Sequence, residues 1–167
     1  MSKTHIIIGV DPGKNTGMVA LLAAYDETPS QFLNIYKVEV IRIPDEMNPR
    51  TDSDLYRMWE FFDTAAGLYT KPDRVSVVIE DIVRTGQLNK DKVTQIRAFE
   101  RSMVYARKLS WDNRVTDIVV QQPTARKAAR NLYEEAGVQV DNEYMVTTSP
   151  HLLDAFYHCL YYHYQKG

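Results

Sequence analysis

The chain has 167 residues, 44% of them hydrophobic and 25% charged, with a net charge of −2 at pH 7; this supports a single domain over 1–167 with a core of its own, without repeats, low-complexity tracts or linkers. One cysteine, Cys159, leaves no internal disulfide, and no stretch has the apolar length of a membrane span or the charged-then-apolar order of a signal peptide. The expectation is a soluble, cytoplasmic protein of a reducing compartment.

The β-branched run Ile6, Ile7, Ile8 and Val10 predicts a strand over 5–11. Pro12 and Gly13 end it, Asn15, Thr16 and Gly17 supply turn chemistry, and a second strand over 17–24 completes a hairpin with Asp11 at its mouth. Taken alone, Asp-Pro-Gly reads as an Asx-type turn in which Asp11 accepts backbone N–H bonds. Two later segments reverse that preference in favour of a metal ligand, a desolvated carboxylate held on a rigid element.

A strand over 32–43 and a helix over 52–69 follow, the helix carrying Leu55, Met58, Trp59, Phe62 and Ala66 at helical spacing. Ser76-Val77-Val78-Ile79-Glu80-Asp81 then reads as a central strand over 75–81, covered on both faces, with Glu80 at its C-terminal end. Side chains alternate along a strand, so only one of Glu80 and Asp81 can join Asp11; the choice is Glu80, with Asp81 a solvent or capping residue. A helix over 90–109 presents Val93, Ile96, Phe99, Met103 and Ala106 as one stripe, and a strand over 116–121 and a helix over 124–136, closed by Gly137, come next.

The last helix starts at an N-cap, Ser149, with Pro150 in its first position, and runs to about 164. His151 and Asp154 are three apart and share a face, in a first turn whose dipole favours an ionised carboxylate. His158 is expected to be a satisfied side chain among Tyr157, Tyr161 and Tyr162 rather than a ligand.

Together these residues resemble the RuvC-type Holliday junction resolvases of the RNase H-like nuclease superfamily. The matching pieces are Ile8-Gly9-Val10-Asp11-Pro12-Gly13 with Thr16-Gly17, Val77-Val78-Ile79-Glu80, Pro123 with Lys127, and His151-x-x-Asp154-Ala155. The first piece is also similar to the phosphate loop of actin-like ATPases, but 167 residues with 7 glycines leave no room for a second nucleotide-clamping lobe. The resemblance implies an RNase H-like α/β fold, a mixed five-stranded sheet with helices on both faces. It implies that Asp11, Glu80 and Asp154 are acidic metal ligands and that His151 fills a fourth site that is Asp or His in the family. It further implies a metal-dependent endodeoxyribonuclease with two Mg²⁺ or Mn²⁺ ions per active site, acting on four-way junctions as a nucleoid-associated or viral protein. A homodimer is expected too, with the stripe of the 90–109 helix as a candidate interface; the same stripe would serve equally to cover the sheet. Val83 stands where the family often has an aromatic residue, which leaves open a broader branched-DNA nickase; an RNA–DNA hybrid nuclease is a more distant alternative.

Charge is segregated along the chain. Residues 1–83 carry 8 Lys/Arg against 13 Asp/Glu, residues 84–130 carry 11 against 4, and residues 131–167 carry 1 against 5. The middle segment, basic and starting just past Glu80, reads as a phosphate footprint beside the metal site. Its candidate DNA contacts are Arg84, Lys90, Lys92, Arg97, Arg101, Arg126, Lys127 and Arg130, joined by Lys14 from the hairpin turn.

Overall fold

The isoleucine-rich run forms the strand on which the fold is organised. A computed structural model of the chain describes residues 2–26, 35–42, 51–67, 72–83, 86–136, 140–147 and 149–166. Strand β1 (Ser2–Asp11) pairs antiparallel with β2 (Gly17–Asp26), whose Gly17 lies opposite Asp11. Between them Thr16 is buried, its hydroxyl donating to the Gly13 carbonyl at 3.0 Å. Strand β3 (Ile35–Arg42) adds to β2, and β4 (Arg74–Glu80) pairs parallel with the other edge of β1. Strand β5 (Asp117–Gln121) extends β4 in parallel.

Among the described residues the sheet order is β5-β4-β1-β2-β3-β6, a mixed sheet as expected, but of six strands rather than five. The additional strand, β6 (Val140–Asp141), is two residues long and pairs parallel with Val38 and Glu39 of β3. A strand that short has no periodicity to read.

Among the described residues three α-helices cover the sheet and a fourth packs against one of them. On one face α1 (Asp52–Ala66) and α2 (Lys90–Trp111) pack Leu55, Met58, Phe62, Phe99, Ala106 and Leu109 onto Ile6, Ile8, Val10, Val77 and Ile79. On the other face α4 (Pro150–Lys166) packs Leu152, Ala155, Phe156 and Cys159 onto Ile7, Val19, Leu21 and Val78. Helix α3 (Ala125–Ala136) packs against α4. Period-two alternation therefore sends Ile7, Gly9 and Asp11 of β1, and Ser76, Val78 and Glu80 of β4, toward α4.

The apolar stripe of α2 is spent on the core. Phe99 is 5% exposed and Ala106 fully buried, while Ile96 and Met103 pack partly buried against them. Only Val93 stays exposed, so the stripe covers the sheet and is not available as an interface between two copies. The outward stripe is Val93, Arg97, Glu100, Val104, Arg107 and Trp111. Gly137 lies outside the described residues.

Helix α4 is seated at two levels. A Cβ on Gly9 would fall 2.5 Å from the Ala155 carbonyl oxygen, and one on Gly17 would fall 2.8 Å from the Leu152 nitrogen. Only glycine lets helix backbone lie directly on strand backbone here. At the far end, buried Tyr162 accepts from Arg74 Nη2 at 2.6 Å and meets His5 edge-on at 5.9 Å between ring centroids. His5 in turn donates to the Ser76 hydroxyl at 2.7 Å, because that hydroxyl gives its proton to Asp117. None of the helices, among the described residues, is long and apolar enough to cross a membrane.

Candidate active site

Three neighbouring strands end in a row of polar side chains. The parallel register of Val10 with Ile79 brings the next residues, Asp11 and Glu80, side by side at the C-terminal ends of β1 and β4, and Glu80 in turn pairs with Gln121 at the end of β5. All three are at least nine-tenths buried. Asp81 points away: its carboxylate accepts from the Ile82 amide at 2.9 Å and from Gln122 at 3.1 Å, the capping role expected of it.

The other half of the site is the start of α4. Ser149 caps it, its Oγ accepting from the His151 amide at 3.2 Å and its carbonyl from Leu153 at 3.1 Å. The seat on Gly9 and Gly17 then fixes His151 and Asp154 above the strand ends. His151 Nδ1 lies 3.2 Å from Asp11 Oδ2, joining residues 140 apart in sequence.

Arg126, in the first turn of α3, joins the remaining carboxylates. Its Nε lies 2.7 Å from Glu80 Oε1 and its Nη1 2.7 Å from Asp154 Oδ2. On the inner side His158, fully buried, places Nε2 3.0 Å from Glu80 Oε1 and Nδ1 2.7 Å from Gln121 Oε1. His158 is thus satisfied, as expected, but by Glu80 and Gln121 rather than by tyrosines. The signal was in the helix: His151, Asp154 and His158 recur at i, i+3 and i+7, one face turned to the sheet.

Crowding three carboxylates sets their protonation. Burial pushes the Asp11 carboxyl up to about 9, helped by its hydrogen bond to Glu80 and by the negative charges of Glu80 and Asp154. Burial acts in the same sense on Glu80, but hydrogen bonds from His158 and Asp11 and attraction to Arg126 outweigh it and hold Glu80 below the ordinary carboxylate range. Burial lifts Asp154 above its usual value against the pull of Arg126. At neutral pH Asp11 is therefore the protonated member and donates to Glu80.

Several solved structures are similar to this architecture. Thermus thermophilus RuvC in complex with a Holliday junction substrate superimposes with a TM-score of 0.61 over 96% of this chain and 93% of that one, at 15% identity. A second Thermus thermophilus RuvC structure gives 0.60 over 95% and 93%, at 14% identity. The yeast mitochondrial Holliday junction resolvase Ydc2 gives 0.54 over 95% and 77%, at 11% identity. The chain has the RuvC fold. No protein-family model and no curated protein sequence matches it.

On this RuvC frame the basic residues fall into separate groups. Lys14 lies 3.9 Å from Asp91, and Gln95 donates to the Pro12 carbonyl at 3.3 Å, so the first turns of α2 abut the hairpin that carries Asp11. Lys90 and Arg97 line a groove of about 610 Å³ with Leu88, Asn89, Val93 and Thr94. Lys92 donates to the carbonyl of Val83, holding the segment that leaves Glu80. On α3, Lys127 is exposed and Arg130 pairs with Glu134 at 3.3 Å. Arg101 belongs elsewhere, in a cleft of about 320 Å³ between α1 and α2 beside Tyr56, Trp59 and Lys108. Arg126, expected among the phosphate contacts, turns inward to the acids, and Arg84 lies outside the described residues.

Three carboxylates and an imidazole are the donor set that hard and borderline divalent cations take, and a buried carboxyl that needs a proton to sit beside two others is one that a cation would also neutralise. Asp11, Glu80, Asp154 and His151 bring that donor set to one end of the sheet. Among the described residues no three His, Cys, Asp or Glu side chains form a ready-made cage, and Arg126 stands between Glu80 and Asp154.

Proposed function

We propose that the chain is a single-domain, divalent-metal-dependent endodeoxyribonuclease that resolves four-way DNA junctions by paired symmetric nicks. The observation that carries this reading is the convergence of Asp11 and Glu80, from adjacent strand ends, with His151 and Asp154, from the start of α4, on a RuvC fold. Asp11, Glu80, Asp154 and His151 would hold Mg²⁺ or Mn²⁺. When bound, two such ions supply activation of a water and stabilisation of the leaving 3′-oxygen. The chain's own part is to fix the donors: β1 and β4 hold Asp11 and Glu80 rigidly, and His158 orients the Glu80 carboxylate from the buried side. Lys14, Lys90, Lys92 and Arg97 on one flank and Lys127 and Arg130 on the other would take the DNA backbone and steer the strand across the acids.

Two opposed nicks need two sites, and a two-fold homodimer supplies them. Its interface is the C-terminal half of the outward face of α2, beyond Arg97, where Val104 and Trp111 are 49% and 80% exposed. Val83, 58% exposed three residues after Glu80, offers no aromatic surface at the position where it would meet the junction, which favours a wider range of branched substrates as the second reading.

The test is cleavage of end-labelled four-way, three-way and linear DNA and of an RNA–DNA hybrid, with and without Mg²⁺. The proposal expects metal-dependent, paired nicks in the four-way substrate. Equal cutting of three-way and four-way DNA supports the second reading, and cutting of the hybrid alone refutes both.

A further inference from the structure

Arg126 is at an unusual address for a phosphate-binding residue. One guanidinium spans two acids from different elements, Glu80 on β4 through Nε and Asp154 on α4 through Nη1, each at 2.7 Å. The fork geometry suits this, since arginine presents several donors in one plane and keeps its charge at any working pH. The side chain is 37% exposed and leaves from the first turn of α3, next to exposed Lys127, so it closes the solvent side of the acid cluster while His158 closes the buried side. A guanidinium and a divalent cation cannot use the same faces of Glu80 and Asp154 together, because like charges at contact distance repel and each needs the same lone pairs.

We infer that Arg126 is a built-in counter-ion that holds Glu80 and Asp154 in place until divalent cations enter, and that it then exchanges those carboxylates for a phosphate of the bound DNA. This deepens the nuclease reading and rests on it. The exchange links the two ligands: the metal frees a cation for DNA, and DNA phosphate draws that cation off the metal site. By reciprocity each raises the affinity of the other. The empty site is in turn spared the mutual repulsion of unneutralised acids.

The experiment is Mn²⁺ binding to the free, full-length protein by calorimetry, for the parent, Arg126→Gln and Arg126→Lys, with circular dichroism to show that each is folded. Removing a charged competitor that makes two charge-assisted hydrogen bonds should tighten Mn²⁺ binding roughly tenfold in Arg126→Gln. Arg126→Lys, a point charge without the fork, should fall between the two. Unchanged or weaker binding in Arg126→Gln overturns the competition. The second arm measures the salt dependence of binding to a four-way junction in EDTA and in Ca²⁺, with the recovered strands checked for integrity. In the parent, Ca²⁺ should steepen the slope of log K against log salt by about 0.9, one phosphate contact, and in Arg126→Gln it should not. An equal slope in both media for the parent overturns the transfer to phosphate. Mn²⁺ uptake by none of the three proteins would remove the metal site itself, and with it the nuclease reading; Mn²⁺ uptake without preference for branched DNA would sink the junction reading alone.

Discussion

Replacing Asp11 with Asn should make the metal-free protein more stable, although it removes a residue assigned to chemistry. Asp11 is 6% exposed, and its carboxyl is pushed from 3.8 to about 9 by burial and by the acids beside it. At pH 7 the native state must keep protonated a group that the unfolded chain ionises freely. The span from 3.8 to 7, at about 1.36 kcal/mol per pH unit, sets an upper limit of about 4 kcal/mol on this cost. An amide needs no proton to be neutral, and its N–H can still donate to Glu80. The sign follows from a folded value raised above the unfolded one: stability linked to Asp11 is full below the unfolded value and is lost as pH rises toward 9. The advantage of Asp11→Asn should accordingly shrink, from at most about 4 kcal/mol at pH 7 to at most about 1.6 kcal/mol at pH 5. Urea unfolding in EDTA, followed by fluorescence of Trp59, which packs against Tyr105 at 5.5 Å, measures both. Mg²⁺ at about one hundred times its Kd should then stabilise the parent by about 2.7 kcal/mol, and the variant far less. A variant less stable than the parent at pH 7 in EDTA, or a difference that does not change with pH, would refute the reasoning.

His158→Phe keeps an aromatic ring, though a larger one, but strips Glu80 of its buried donor; kcat should fall 10–100-fold, the usual cost of losing such an outer partner, with KM for DNA little changed. A parallel rise in KM would show that the substitution disturbs the DNA surface instead. Gly9→Ala should cost about 1–3 kcal/mol in unfolding free energy as α4 is pushed off β1, and cleavage should fall with it because His151 and Asp154 move; full activity at parental stability would show that the contact yields freely. Lys127→Ala should reduce the salt slope of junction binding by about 0.9 while Arg101→Ala leaves it unchanged, and the reverse result would place the DNA over the α1–α2 cleft.

Much of this architecture is written in local sequence. The β-branched run through Ile6, Ile7 and Ile8 marks the central strand, the acids at 11 and 80 sit where apolar runs stop, and Ser149-Pro150 fixes the start of α4 to the residue. What local pattern does not carry is the identity of distant partners. The stripe through Phe99 announces an amphipathic helix, but the same apolar face serves a sheet or a second subunit, and only the packed core shows that the sheet takes it. Arg126 reads as one more cation in a basic segment, since its acids lie 46 residues before it on β4 and 28 after it on α4. His158 likewise finds Glu80 only across a sequence separation of 78. The strand at Val140–Asp141 owes its form to a neighbour, not to its own two residues.

Helix α4 is clamped at both ends, by Gly9 and Gly17 near its start and by Tyr162 with Arg74 and His5 near its finish. The amide protons of its central turns should therefore exchange with solvent chiefly through global unfolding, along with those of β1. The carboxylates of the sheet and the His–Asp pair of the helix then travel as a single rigid body. If the proposed junction cleavage holds, fitting a bent four-way substrate would fall to the DNA arms, which would deform to reach that template.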